Sequence, residues 1–201
     1  RARQHPPDRH THLQLHFLDG RTLMLRDIRK FGKIRLVPRD GKSLARLFSH
    51  LGPEPLSEDY QLPAFLQEMI RRGRTRVKAL LLDQRFVAGV GNIYADEALF
   101  DAGIRPSRRV RNLRRYERVR LFRSIPVVLE KGIALGGTSL RDFVDSNGDT
   151  GHHQEELNVY GRNGRPCRRC GTAIVKIVVA QRGTHFCPLC QPPRPCRKPG
   201  E

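Results

Sequence analysis

Near the end of the chain, Cys167-Arg-Arg-Cys170 is followed by sixteen residues and then by Cys187-Pro-Leu-Cys190. Two Cys-x-x-Cys pairs at that separation suit one tetrahedral ion. Each pair bends a tight turn that aims two thiolates at a common point, and the segment between them returns as a hairpin. That segment reads as two strands, Ile174–Ala180 and Thr184–Phe186, with Gln181-Arg182-Gly183 between them, which sets Arg182 at the tip of a metal-braced finger. Zinc is the ion this spacing fits, one structural Zn(2+) on Cys167, Cys170, Cys187 and Cys190; two disulfides and an iron–sulfur cluster are the competing uses. Cys196 lies in a proline-rich tail and reads as a spare thiol. His185 is a further potential ligand, but four thiolates already fill the site.

The 201 residues allow one or two domains with a sizeable core. Lysine and arginine number 38 against 20 acids, a formal charge of +18. Self-repulsion on that scale suits a polyanionic partner, and nucleic acid is the usual one. Residues 161–201 carry nine basic residues and one acid, so the finger and its tail are the most one-sided part. A membrane partner fits less well: there is no basic amphipathic helix with aromatic anchors, no apolar run of spanning length and no signal peptide. Cysteines committed to metal point to a reducing, cytoplasmic setting.

In chain order, residues 1–11 are polar and loose. Leu13, Leu15 and Phe17 alternate onto one face, Asp19-Gly20 follows, and Leu23 and Leu25 continue, which is a hairpin signature. A third strand is expected at Lys33–Val37. The segment 39–54 reads as a linker holding one short helix, Leu44–Leu51. Helical periodicity then predicts Leu62–Arg72, Arg76–Leu82, Ile93–Phe100 and Tyr116–Leu135, the last kinked or split by Pro126. Residues 138–160 read as a long polar loop before the finger. The expected organisation is α+β: a β-rich segment (1–38), a helical domain (55–137), the loop, a zinc hairpin (161–191) and a tail (192–201).

Gly89-Val-Gly91-Asn92 opens a helix. Two glycines let backbone approach a ligand closely, and Asn92, read as the N-cap, leaves amides facing a phosphate. A plain inter-helix turn is the alternative, and a dinucleotide fingerprint fails for want of a third glycine, since Tyr94 stands there. Lys78, one helix earlier, is a candidate cation for the same phosphate. Arg29-Lys30-Phe31 forms a basic and aromatic knuckle suited to wedging into a base stack, unless Phe31 is core. His10 is a weaker phosphate candidate. The acids at 142, 145, 149, 155 and 156 show no paired arrangement and read as solvating charges.

Asp27-Ile-Arg29-Lys-Phe31-Gly32, His50-Leu-Gly-Pro-Glu-Pro-Leu56, Gly89-Val-Gly-Asn-Ile-Tyr94, Ala102-Gly-Ile-Arg-Pro106, Gly136-Gly-Thr-Ser-Leu140, Val159-Tyr160-Gly-Arg162 and Gln181-Arg-Gly-Thr-His-Phe-Cys187 together resemble the formamidopyrimidine-DNA glycosylase family. The resemblance runs from His10 to Gln191. It implies the C-terminal part of a β-sandwich domain, a helix–two-turn–helix DNA-binding domain and a β-hairpin zinc finger, acting as a monomer on damaged double-stranded DNA. The implied activity is excision of 8-oxoguanine and formamidopyrimidine, followed by β,δ-elimination. Asn92, Gly91 and Lys78 would hold the bent backbone, Arg29, Lys30 and Phe31 would fill the gap left by the flipped base, and His10 and Tyr160 would be DNA contacts. Residues 138–160 would cover the lesion. Arg182 would clamp phosphates and, by the same analogy, donate a proton in δ-elimination. The clamp suits a forked, permanently charged guanidinium better than proton donation does.

Three departures qualify the match. The family's nucleophile is an N-terminal proline amine, whereas this sequence opens at Arg1 and its Pro6 and Pro7 nitrogens are amides. The polypeptide as written is therefore expected to bind DNA without cleaving it, which borohydride trapping on an 8-oxoguanine duplex tests. Gly73 stands where the family can carry a phosphate-binding lysine, leaving Arg72 and Arg74 as its flanking substitutes, and Lys30 stands where arginine is usual. The competing readings are a non-catalytic zinc-dependent DNA-binding remnant, an endonuclease VIII-type enzyme for oxidised pyrimidines, and a basic zinc-ribbon RNA binder.

Overall fold

The protein is seen in a computed structural model that describes residues 6–137 and 153–193. These fall into two compact units, 6–49 and 50–193. The zinc hairpin, which the sequence sets apart as its own region, packs in the same unit as the helices.

In the first unit, β1 (Thr11–His16) pairs antiparallel with β2 (Thr22–Arg26), and Leu13 faces Leu25 while Leu15 faces Leu23 across the strands. Gly20, at φ +83°, supplies the left-handed residue that the Asp19-Gly20 turn needs. The third strand expected at Lys33–Val37 does not form; Phe31–Pro38 is irregular, and the described sheet here has two strands. Helix α1 spans Gly41–Phe48, three residues earlier than expected, because Asp40 caps it by accepting from the Ser43 amide at 2.5 Å.

The second unit is built on α2 (Leu62–Arg71), α3 (Val77–Leu82), α4 (Asn92–Asp101) and α5 (Arg115–Ala134), with a short 3₁₀ turn at Val110–Asn112. Their shared core includes Phe65, Met69, Leu80, Leu81, Leu99, Ile104, Leu121 and Ile125. Pro126 neither splits α5 nor leaves a polar group stranded. A proline at position 126 cannot donate to the carbonyl of residue 122, and the Tyr60 hydroxyl donates to that Phe122 oxygen instead, at 3.2 Å. The Tyr60 ring stacks on Phe122 with centroids 4.3 Å apart. A buried fork joins Arg108 to Glu117, at 2.5 and 3.0 Å, and Glu117 also accepts from the Arg114 amide that opens α5.

After a short helix, α6 (His153–Glu156), the chain enters the finger. There β3 (Val175–Val179) pairs with β4 (Arg182–Phe186). Ala180 and Gln181, at φ 50° and 57°, make a two-residue turn of the kind that matches strand twist. Arg182 is thus the first residue of β4, paired with Val179, rather than the tip itself. Among the described residues, no helix is long and apolar enough to cross a membrane.

Candidate nucleic-acid interface and metal centre

The four cysteines of the finger place their sulfurs within 4.8 Å of one another. Cys167 and Cys190 are 3.9 Å apart and Cys170 and Cys187 3.4 Å apart, and all four are free thiols. A disulfide requires about 2.05 Å, so that reading falls. Four sulfurs bound at about 2.3 Å around one tetrahedral ion stand roughly 3.8 Å from each other, and the observed set fits one structural zinc. Thr172, through its hydroxyl and then its amide, holds the Cys170 thiol down to about 6, while burial raises those of Cys187 and Cys190. Cys196 lies outside the described residues.

The finger is tied to the helices. Phe100 of α4 joins Val159, Cys167, Ile174 and Cys187 in one apolar cluster. Gln191, fully buried, accepts from the Cys187 amide at 2.9 Å and donates to the Ile104 carbonyl at 2.8 Å. Arg105 lies over the Phe186 ring, 4.5 Å from its centroid.

Helix α4 begins where the sequence places an anion site, with one change of role. Gly91 is the N-cap and Asn92 the first helical residue, and no side chain caps the first-turn amides. Gln84 braces the preceding turn, donating to the Val90 carbonyl at 3.0 Å and accepting from the Gly89 amide at 2.8 Å. Gly89 needs to be glycine for its φ of +80°. Gly91 does not: its φ is −95°, and a Cβ there would meet nothing within 4 Å. Folding leaves that position open, and a bare backbone there permits close approach to the helix start.

The Asn92 side chain donates through Nδ2 to the Gly183 carbonyl at 3.1 Å. The helix start and the residue beside Arg182 are therefore in direct contact, and Arg182 itself is exposed. Lys78, assigned to a phosphate from the sequence, is turned inward and wholly buried. Its ammonium meets Asp96 at 2.7 Å, the Thr184 hydroxyl at 2.8 Å and the Gly183 carbonyl at 3.0 Å. Burial lowers its proton affinity, and the Asp96 carboxylate works against that. Arg72 is likewise engaged, bridging Glu68 at 2.5 Å and Asp83 at 2.6 Å, whereas Arg74 is exposed. Tyr160 sets its ring edge against His185, centroids 5.0 Å apart.

Two acids of α4 escaped the sequence reading. Asp96 accepts from the His185 amide at 2.8 Å in addition to its pairing with Lys78. Glu97 accepts from the amides of Asn158, Val159 and Tyr160 at 2.9, 2.9 and 3.0 Å, and from the Asn158 side chain at 3.1 Å. The available signal was an Asp-Glu pair in the middle of a helix where Ala95, Ala98, Leu99 and Phe100 surround it with apolar side chains, so that both charges cannot face water. Of the segment 138–160 expected to cover a lesion, residues 138–152 lie outside the described residues, and 158–160 are pinned by Glu97.

In the first unit, the Asp27 carboxylate accepts from the Arg29 amide at 3.0 Å and the Gly32 amide at 2.6 Å, rounding the knuckle between them. Lys30 sits at φ 58° within it. Phe31 is 77% exposed, so it is not core, and the Arg29 guanidinium lies 5.7 Å from its ring centroid. The Asp27 amide donates to the His10 carbonyl at 3.0 Å, which keeps His10 beside this knuckle.

An open helix start braced by a four-cysteine finger, on a strongly basic chain, is the arrangement of a nucleic-acid-binding module. Residues 51–144 match the model of the formamidopyrimidine-DNA glycosylase H2TH domain, and residues 164–193 that of the zinc finger found in FPG and IleRS. The chain belongs to the formamidopyrimidine-DNA glycosylase family. It is 50% identical over 190 residues to the formamidopyrimidine-DNA glycosylase of Herpetosiphon aurantiacus, covering 94% of this chain and 68% of the relative. The corresponding protein of Pelotomaculum thermopropionicum is 47% identical over the same shares. Among solved structures, MutM (Fpg) from Thermus thermophilus superposes with a TM-score of 0.85 at 46% identity, covering 94% of this chain and 71% of that one. Lactococcus lactis Fpg in complex with abasic-site DNA gives 0.85 at 42% identity, covering 95% and 69%.

Proposed function

We propose that this protein serves base-excision repair of oxidised purines, the DNA glycosylase and abasic-site lyase function that its family resemblance implies, and that the second unit is its grip on the damaged duplex. None of the residues assigned to the duplex is the nucleophile, and their contacts are for binding. The observation that carries this reading is the Asn92–Gly183 hydrogen bond, which joins an uncapped helix start to the strand that bears Arg182. First-turn amides and the second N–H of Asn92 form one donor group, and the exposed Arg182 guanidinium forms another beside it. Two such groups suit adjacent phosphates of a bent backbone. Gly91 leaves room for that backbone to close on the helix. The relative from L. lactis was captured with abasic-site DNA, which supports the same assignment.

Arg182 acts as a clamp in this reading. A guanidinium holds its proton too tightly to be a good acid, so any proton donation during δ-elimination is secondary to its hold on phosphate. Arg74, Tyr160 and the first unit's His10, Arg29, Lys30 and Phe31 complete the proposed contacts. The exposed Phe31 ring, backed by Arg29, supplies the wedge for a vacated base position. Lesion choice is tested by competition: an 8-oxoguanine duplex should outcompete both an undamaged duplex and one carrying an oxidised pyrimidine. Arg182→Ala should weaken binding and lower the slope of log K against log salt by about one. Equal affinity for all three duplexes would remove the oxidised-purine assignment, and an unchanged slope would remove Arg182 from the contacts.

A further inference from the structure

We propose that Lys78 and Asp96 are positioning residues for Arg182, acting on DNA at one remove by fixing the register and placement of β4. This rests on the DNA-binding reading above for its consequence, and on geometry alone for its mechanism.

An ammonium has three N–H donors, and Lys78 directs them to Asp96, Gly183 and Thr184. The other oxygen of Asp96 accepts from the His185 amide. Gly183, Thr184 and His185 follow Arg182 without a gap, and each is held from α3 or α4. The Gly183 carbonyl is held twice, by Lys78 and by Asn92, which occupies both of its lone pairs. On the other side of Arg182 the two-residue turn at Ala180-Gln181 leaves the chain no slack. The backbone of Arg182 is thus bracketed by a tight turn and by three anchored residues.

A buried charge pair is a costly way to fill space, since apolar side chains of like volume would pack at least as well. What the charges add is direction. Side chains alternate along a strand, so a slip of one residue in β4 would carry Arg182 to the opposite face of the hairpin. Donors aimed at one carbonyl and one hydroxyl, and the Asp96 carboxylate that accepts from one amide, are satisfied in a single register only. The pair also connects α3, α4 and β4, so the helix start and the finger are set relative to each other by the same group.

The zinc-loaded 201-residue chain, titrated with a duplex containing a tetrahydrofuran abasic-site analogue over a salt series, tests this. Lys78→Met should weaken binding about tenfold and lower the salt slope by about one, as Arg182→Ala does. In the Lys78→Met/Arg182→Ala double variant the loss should stay within about twofold of Arg182→Ala alone. A further tenfold loss with a further unit of slope would mean that Lys78 meets a phosphate itself, and would overturn the proposal. So would a Lys78→Met protein that binds like the parent. Should Lys78→Met leave Asp96 unpaired and unfold the protein, Lys78→Met/Asp96→Leu removes both charges together. Amide exchange in the DNA-free protein then decides independently: the β4 amides bonded to β3 across the hairpin should exchange at least about tenfold faster while zinc stays at one per chain. Unchanged protection there overturns the positioning role. Failure of the parent to bind any duplex would remove the functional reading, with the exchange result still standing.

Discussion

Asp83 closes α3 and gathers Arg85 and Arg72 around one carboxylate, at 3.1 and 2.6 Å. Hydrogen bonding from the Arg85 side chain, then from its amide and from Arg72, holds the carboxyl down from 3.8 to about 2. A carboxyl depressed on folding contributes stability above its ordinary value and loses it as the pH falls through its folded one. The contribution is on the order of 1 kcal/mol, because the group is partly solvated. Thermal unfolding of the parent and of Asp83→Asn, followed from about pH 5 down to about pH 2, should show the gap between them closing in acid. A constant gap would mean that the bonding does not favour the charged form. The same cluster explains why Arg72, a plausible phosphate ligand by sequence, has its guanidinium directed at Glu68 and Asp83. A charged residue's sequence neighbours do not disclose which acid folding will bring beside it.

At the scale of elements, α5 survives its internal proline because another element supplies what the proline removes. Tyr60→Phe should leave the Phe122 carbonyl buried without a donor and cost about 1 kcal/mol. In a Pro126→Ala background residue 126 regains an N–H for that carbonyl, so the Tyr60→Phe cost should shrink; chemical denaturation of the four proteins measures the difference. An equal cost in both backgrounds would show that the hydroxyl is not substituting for the helix bond. The finger hairpin teaches a related lesson about turns. Glycine at 183 draws the eye to a turn at 181–183, yet the left-handed residues are Ala180 and Gln181. The clamp on the Gly183 carbonyl holds 183 in the strand, and a clamp from α3 and α4 has no signature in the hairpin's own residues.

For the whole molecule, the four-cysteine finger and the helical core are neighbours with separate apolar clusters, joined through Phe100, Gln191 and the contacts of Lys78 and Asn92. A structural zinc supplies roughly 10–16 kcal/mol to small fingers of this kind. Chelation should therefore loosen the finger and abolish duplex binding while far-UV circular dichroism keeps most of its helical signal. A parallel collapse of that signal would mean that the helices depend on the finger for their fold. The first unit differs in kind: none of its described residues is buried, and Leu15, Leu23 and Phe31 are all exposed. Two strands and one short helix enclose too little apolar surface to form a core.

By itself the sequence determined the zinc ligands, the helix that opens at Gly91-Asn92, the hairpin at Asp19-Gly20 and the family, because each rests on local spacing or turn chemistry that a few adjacent residues specify. Only the tertiary structure decided that Lys78 faces inward, that Asp96 and Glu97 are buried anchors, that Phe31 is exposed and that Lys33–Val37 is not a strand. Those outcomes depend on partners up to 106 residues distant along the chain, as between Lys78 and Thr184. Whether a charge is solvated, paired or aimed at a ligand follows from which surfaces folding brings together, and no local pattern carries that information.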